Sequence, residues 1–194
     1  MSTPPQPAQK MKARQTLLLL LAVFALPLLV AWVFTMGPLH WRPAKTTNYG
    51  ILLTPPLQLN SYGVMDATGG ALSLDVVARN WFLVVLHNSA CTGPCQGLVQ
   101  IAERIQIAVG RDRHRVSVAL LGPEDVPVPL RRSWLLPADG RLVEVLRHAT
   151  DEPQLDTALL IVDHQGIAVL VYPPTEDGPG ALYDLKRLLR ASAR

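Results

Sequence analysis

The chain has 194 residues, enough for about one domain of ~100 to 200 residues. It is 49% hydrophobic and 17% charged, which excludes a wholly disordered chain, because disorder goes with low hydrophobicity and high charge. The net charge is +3, yet Lys10, Lys12, Arg14, Arg42 and Lys45 all fall in the first 45 residues, which hold no carboxylate, and the other 13 basic side chains face 15 acidic ones. Nucleic-acid binding needs a basic face to displace counterions from phosphates. Beyond residue 45 the basic run is Arg111, Arg113 and Arg115, so no nucleic-acid partner is expected.

From Gln15 to Met36 there are 22 residues without a formal charge, including five leucines from Leu17 to Leu21. At ~1.5 Å per residue a helix of this length crosses the ~30 Å hydrocarbon core. Pro27 is tolerable in such a helix, and Trp32 and Trp41 fall where interfacial aromatics are favoured. A cleaved secretory signal is the alternative, but its apolar core is shorter and ends in a small-residue cleavage site. Lys10, Lys12 and Arg14 outnumber Arg42 and Lys45, which predicts a cytoplasmic amino terminus and a domain outside the membrane, periplasmic in a Gram-negative cell, where disulfides persist. The expected organisation is a cytoplasmic tail over 1–14, a single-pass transmembrane helix in the inner (plasma) membrane over 15–36, a Pro/Thr/Asn-rich tether over 37–56, and a domain over 57–194.

Within that domain, Leu57–Met65 and Ala71–Leu74 flank Thr68-Gly69-Gly70 and predict a hairpin. Trp81–Leu86 is a continuous apolar run of strand length, as expected of a strand covered on both faces. From Pro94 to Val109, Leu98, Ile101, Ala102, Ile105, Ala108 and Val109 recur at helical spacing, with Gly110 placed to stop the helix. Val116–Leu121 then predicts a second buried strand, completing a parallel strand-helix-strand unit. Residues 122–157 mix five prolines with the apolar pieces Leu130–Leu136 and Leu142–Leu146, each a short helix or strand. Ala158–Val162 and Ile167–Tyr172 flank Asp163-His164-Gln165-Gly166 as a second hairpin. A last helix starts near Pro179 and buries Leu182, Leu185, Leu188 and Leu189.

The two cysteines of the chain, Cys91 and Cys95, lie four apart where the buried strand gives way to the helix. Unpaired N–H groups and the dipole at a helix start favour negative charge, so Cys91 is expected to ionise more readily than a free thiol. A thiolate attacks disulfides and binds soft metals. The alternative is a static disulfide or a buried pair that only packs, although so short a loop constrains the unfolded chain little. Asp125, Asp151, Glu152 and Asp156 show no spacing that implies acid/base work and read as solvated loop residues. Ser89 lacks the context of a catalytic nucleophile.

The order hairpin, strand, cysteine pair, helix, strand, hairpin, helix resembles a thioredoxin-like α/β domain, a central mixed sheet with flanking helices, here preceded by one transmembrane helix. Thr92-Gly93-Pro94-Cys95 is similar to the Gly-Pro-Cys of thioredoxin with one residue inserted. The Cys91-x-x-x-Cys95 spacing and single span resemble the SCO/SenC proteins, membrane-anchored factors that supply copper to, or keep reduced, the copper site of cytochrome c oxidase. Asn48-Tyr49-Gly50 followed by Leu52-Leu53-Thr54-Pro55-Pro56 also resembles small anchored proteins that accompany oxidase assembly factors.

The resemblance implies a thiol–disulfide oxidoreductase or Cu(I)-handling protein, with an oxidase copper subunit or assembly factor as client. It also implies a liganding histidine just before the strand opening the late hairpin, where this chain has Gln154-Leu155-Asp156-Thr157-Ala158. The cis-proline of ordinary thioredoxins is missing there too, unless Pro153 is displaced into its place. His87, at the end of the central strand, either joins Cys91 and Cys95 as a metal ligand or caps the strand and tunes Cys91. His148 lies in a loop that could approach the site, His164 is ~20 Å away at ~3.3 Å per residue, and His40 and His114 read as solvated. A scaffold that kept the fold and lost the chemistry is the rival reading.

Overall fold

A computed structural model describes residues 7–36, 47–74, 79–123, 132–174 and 178–192. The chain divides into two compact units, Met1–Thr46 and Thr47–Arg194. In the first, α1 (Pro7–Met36) is a 30-residue helix that contains Pro27. Leu17 to Leu21, Phe24, Leu26, Leu28 and Leu29 are each more than half exposed, a larger apolar surface than a soluble monomer ordinarily shows. The side chains of α1 are described without a break only over residues 14–30, and over the described residues no helix is long and apolar enough to cross a membrane. His40, Trp41, Arg42, Lys45 and the rest of 37–46 lie outside the described residues, as do Asp125, Pro127, Pro129 and Leu130.

The second unit is built on a seven-stranded mixed sheet. Its strands are β1 (Ile51–Gln58), β2 (Met65–Asp66), β3 (Trp81–His87), β4 (Val116–Gly122), β5 (Arg132–Leu135), β6 (Thr157–Val162) and β7 (Ile167–Tyr172), in the order β1-β7-β6-β3-β4-β5-β2. β3 runs parallel to β4, and β4 to β5, while β6 is antiparallel to β3 and β7 antiparallel to β6. The helices are α2 (Pro94–Ala108), α3 (Arg141–Thr150) and α4 (Gly178–Ala191).

Every residue of β3 is buried, which explains its unbroken apolar run, and alternate side chains feed two cores because successive side chains point to opposite faces. Phe82, Val84 and Leu86 pack with Leu142, Val143 and Leu146 of α3. Leu83 and Val85 pack with Leu98, Ala102 and Ile105 of α2 and Leu185 and Leu189 of α4. The strand-helix-strand unit, the hairpin turn at 163–166 and the final helix stand where the periodicity predicts them. Gly110 follows α2 with φ +75°, a conformation that carries little penalty only for glycine.

Two expectations need correction. The segment read as tether contains β1, which begins at Ile51. Its Pro55 and Pro56 lack backbone N–H groups, so the strand belongs at a sheet edge; among the described residues β1 pairs with β7 alone, and its register shifts between Leu52 and Leu57, around the prolines. The first hairpin is reduced to a single bridge between Met65 and Ala71, and Met65–Asp66 pairs instead with β5. The turn is held by Asp66, whose carboxylate accepts from the Thr68 hydroxyl and the backbone N–H groups of Thr68 and Gly70. The Thr68 hydroxyl is the largest of the effects that hold this carboxyl below its ordinary 3.8.

Candidate functional site

β3 ends at His87, and seven residues later α2 begins. Gly93 precedes the helix at φ +37°, where a side chain would be strained, and Pro94 takes the first helical turn, where a missing N–H costs nothing. The backbone N–H of Cys95 donates to Thr92 O at 3.0 Å and that of Gly97 to Gly93 O at 3.0 Å. This tight entry brings Cys91 and Cys95 together as a disulfide with 5.2 Å between Cα atoms. Their environments differ: Cys95 is 3% exposed and packs into the α2 core, whereas Cys91 is half-buried at its edge. An incoming group therefore reaches Cys91 first.

A groove of about 250 Å³ lies beside the disulfide, lined by Cys95, Thr92 and Pro94 on one side and Gln154 to Thr157 on the other. The second wall is pinned to the end of β3. Thr157, paired in register with His87, donates its hydroxyl to Leu86 O at 2.8 Å, and Asn88 N–H donates to Asp156 O at 2.9 Å. The Ser89 hydroxyl donates to Asp156 Oδ2. Asp156 and Ser89, read from sequence as bland, thus hold the groove together; Asp156 is exposed but not free. No sequence signal could have found this pair, since the register of β3 on β6 is what makes them neighbours.

His87 is 3% exposed and also lines the groove. Its Nδ1 lies 2.8 Å from Ser89 O. A carbonyl only accepts, so in the neutral ring Nδ1 carries the proton and Nε2 keeps its lone pair, buried and without a hydrogen-bond partner. The ring lies over Gly122, where a Cβ would overlap it. Gly122→Ala should therefore push the ring off the strand and cost about 1–3 kcal/mol of overpacking in urea unfolding. An unchanged midpoint would show that the ring does not rest there.

Among the described residues, the other histidines stand apart from the disulfide. His164 is in the turn at the far end of β6 from Thr157. The His148 side chain is 84% exposed beside Glu144 on α3 and borders a different groove, so it does not approach. His114 sits in the 3-10 turn Gly110–Arg115, its Nδ1 3.1 Å from Arg111 O. Pro153 borders the same groove as His148, and among the described residues the only cis peptide bond is Thr54–Pro55; Pro153 does not take the missing proline's place. Among the described residues no group of three His, Cys, Asp or Glu is assembled to hold a metal. Cys91, Cys95 and His87 therefore do not form a three-ligand centre in this disulfide form.

The family model of the transmembrane-like, thioredoxin-like C-terminal domain matches residues 81–192, more than half of the chain. The chain belongs to that family. No curated relative matches it. Among solved structures, this thioredoxin-like domain is similar to a SCO1/SenC family lipoprotein from Bacillus anthracis, at 11% identity over 75% of this chain and 98% of that one, with a TM-score of 0.46. It is also similar to copper-bound ScoI of Bradyrhizobium japonicum, at 17% identity over 68% and 96%, TM-score 0.39. A third is the exposed lipoprotein thioredoxin Etrx1 of Streptococcus pneumoniae, at 15% over 64% and 96%, TM-score 0.42. The matched segment opens at the first residue of β3 and holds the cysteine pair, the groove and α4.

Proposed function

We propose that the protein is a membrane-anchored thiol–disulfide exchange protein whose Cys91–Cys95 pair acts on a cysteine pair of a client outside the membrane. The observation that carries this reading is the formed disulfide at a helix start with one half-buried and one buried cysteine. In the reducing direction, the Cys91 thiolate attacks a client disulfide, forming a Cys91–client bond and expelling one client thiolate. The Cys95 thiolate then attacks the Cys91 sulfur, closes the disulfide and expels the second. Two electrons pass to the client, and the protons lost by Cys91 and Cys95 balance those its two thiolates take up. An external dithiol reverses the sequence and resets the pair.

The anchor in this reading is residues 15–36, supported by the exposed apolar side chains of α1 and the uncharged sequence. A periplasmic domain is supported by the basic residues before the span and by the disulfide itself, which cytosolic reductants would open. The client class, a copper-site cysteine pair of an oxidase subunit or its assembly factor, is supported by the resemblance to SCO/SenC proteins.

One observation favours a second reading, Cu(I) handling. The Nδ1–H of His87, fixed on a backbone carbonyl, leaves Nε2 in the form a metal ligand takes, and both cysteines once reduced are soft ligands suited to Cu(I). Cys91 and Cys95 would hold the ion, with His87 as a third donor if its ring turned from Gly122. The exchange reading has the direct test. Full-length Cys95→Ser, which cannot close its own disulfide, should accumulate a thiol-reducible adduct with a membrane protein bearing paired cysteines. The Cys91→Ser/Cys95→Ser chain should not. An absence of adduct from both would leave the domain a scaffold.

A further inference from the structure

The outward side of α4 carries a stripe that the disulfide does not use. Tyr183, Lys186, Arg187 and Arg190 are exposed and recur at i, i+3, i+4 and i+7, which places them on one side of the helix. Asp184, the acidic residue of this helix, is buried; Glu176 and Asp177 precede the helix and lie outside the described residues. Tyr183, 51% exposed, meets the 63% exposed Tyr49 edge-on with ring centroids 5.4 Å apart. Exposed tyrosines beside three cations match the water–lipid boundary, where amphipathic rings sit at headgroup level and cations meet anionic phosphates.

A second observation concerns where the chain enters the domain. Arg187 Nη1 donates to Thr47 Oγ1, and Asp184 Oδ2 accepts from the backbone N–H groups of Tyr49 and Gly50, so residues 47–50 are strapped to this same helix. Ten residues, 37–46, separate the strap from the last residue of α1, and the eleven steps from Met36 to Thr47 reach at most ~40 Å.

We infer that the Tyr183–Arg190 face of α4 docks on the anionic phospholipid surface of the membrane that holds α1. The inference rests on the anchoring of α1 proposed above. Each Lys or Arg near an anionic surface adds roughly fivefold to partitioning, so three add on the order of a hundredfold. A ten-residue connection keeps the face at high effective concentration. Docking would present the disulfide to membrane-bound clients in one orientation.

The test uses the full chain reconstituted in vesicles of neutral phosphatidylcholine, with or without anionic phosphatidylglycerol. A site-specific protease sequence placed within residues 37–46 is then cut and the vesicles floated. The released domain should stay with the anionic vesicles at low salt, at least about tenfold more than with neutral ones, and leave them at high salt. Lys186→Glu/Arg190→Glu, which spares the Arg187–Thr47 bond, should lower retention by at least about 25-fold with the unfolding midpoint and the disulfide-exchange rate unchanged. Equal retention on neutral and anionic vesicles, or no effect of the charge reversal, would overturn the inference. So would displacement by a soluble acidic polypeptide or DNA as effective as by phosphatidylglycerol itself, which would make the stripe a general polyanion site. Alkaline carbonate extraction of the uncut chain reads the anchor separately: release there refutes the span, whereas loss of the cut domain alone refutes docking.

Discussion

Cys91→Ser is expected to bring disulfide exchange with a model dithiol–disulfide substrate down to background, a loss of roughly a thousandfold, because a hydroxyl cannot replace the attacking thiolate. Cys95→Ser should behave differently. Its Cys91 remains half-buried at the edge of the core, just before the start of α2, whose dipole favours a thiolate, so the first attack should proceed at near the unmodified rate. With no buried thiol to resolve it, the mixed disulfide should accumulate to about one equivalent and stall. Stopped-flow kinetics with quantified adduct separates the two steps. Equal loss of the first step in both variants would contradict the assignment of attack to Cys91 and resolution to Cys95.

The largest stability effect is expected at Asp184, which lies 1% exposed on α4. Its Oδ2 accepts from Tyr172 OH at 2.8 Å, Tyr49 N–H at 2.8 Å and Gly50 N–H at 3.0 Å. Gly50 is required at that position, since a Cβ there would overlap the Tyr172 ring. Asp184→Ala takes an acceptor from three donors in and around the core, at about 1–3 kcal/mol for each buried group left unsatisfied, so a loss of roughly 3–5 kcal/mol is expected in urea unfolding. For a domain of this size that lowers the melting temperature by about 10 °C or more. Asp184→Asn keeps an oxygen for the same donors and should lose less than half as much. If alanine costs no more than asparagine, the carboxylate does not hold the strap.

Periodic segments were readable because burial writes itself into the residue pattern. Trp81–Leu86, Leu98–Val109 and the hairpin around residues 163–166 each follow one period without interruption, and the cysteine pair lies at the junction of two of them. β1 was not readable: it is an edge strand interrupted by Pro55 and Pro56, and neither its apolar alternation nor its register is continuous. Asp184 did leave a signal, since position 184 falls between Ala181 and Leu188 on the buried stripe of α4, where a carboxylate must find partners. The stripe of Lys186, Arg187 and Arg190 is hidden in a linear charge count and emerges only when the residues are placed on their helix. Ser89 and Asp156 left none, being 67 residues apart and joined only through the pairing of β3 with β6.

The central claim is that Cys91 and Cys95 form an exchangeable pair with one working sulfur. Its most direct measurement is equilibration of the folded full chain with glutathione redox buffers, followed by alkylation and mass analysis of which cysteine is modified. The account predicts that the disulfide opens and recloses reversibly without unfolding, and that brief alkylation of the reduced protein labels Cys91 well ahead of Cys95. A disulfide that opens only when the domain unfolds, or labelling that reaches Cys95 first, would contradict it.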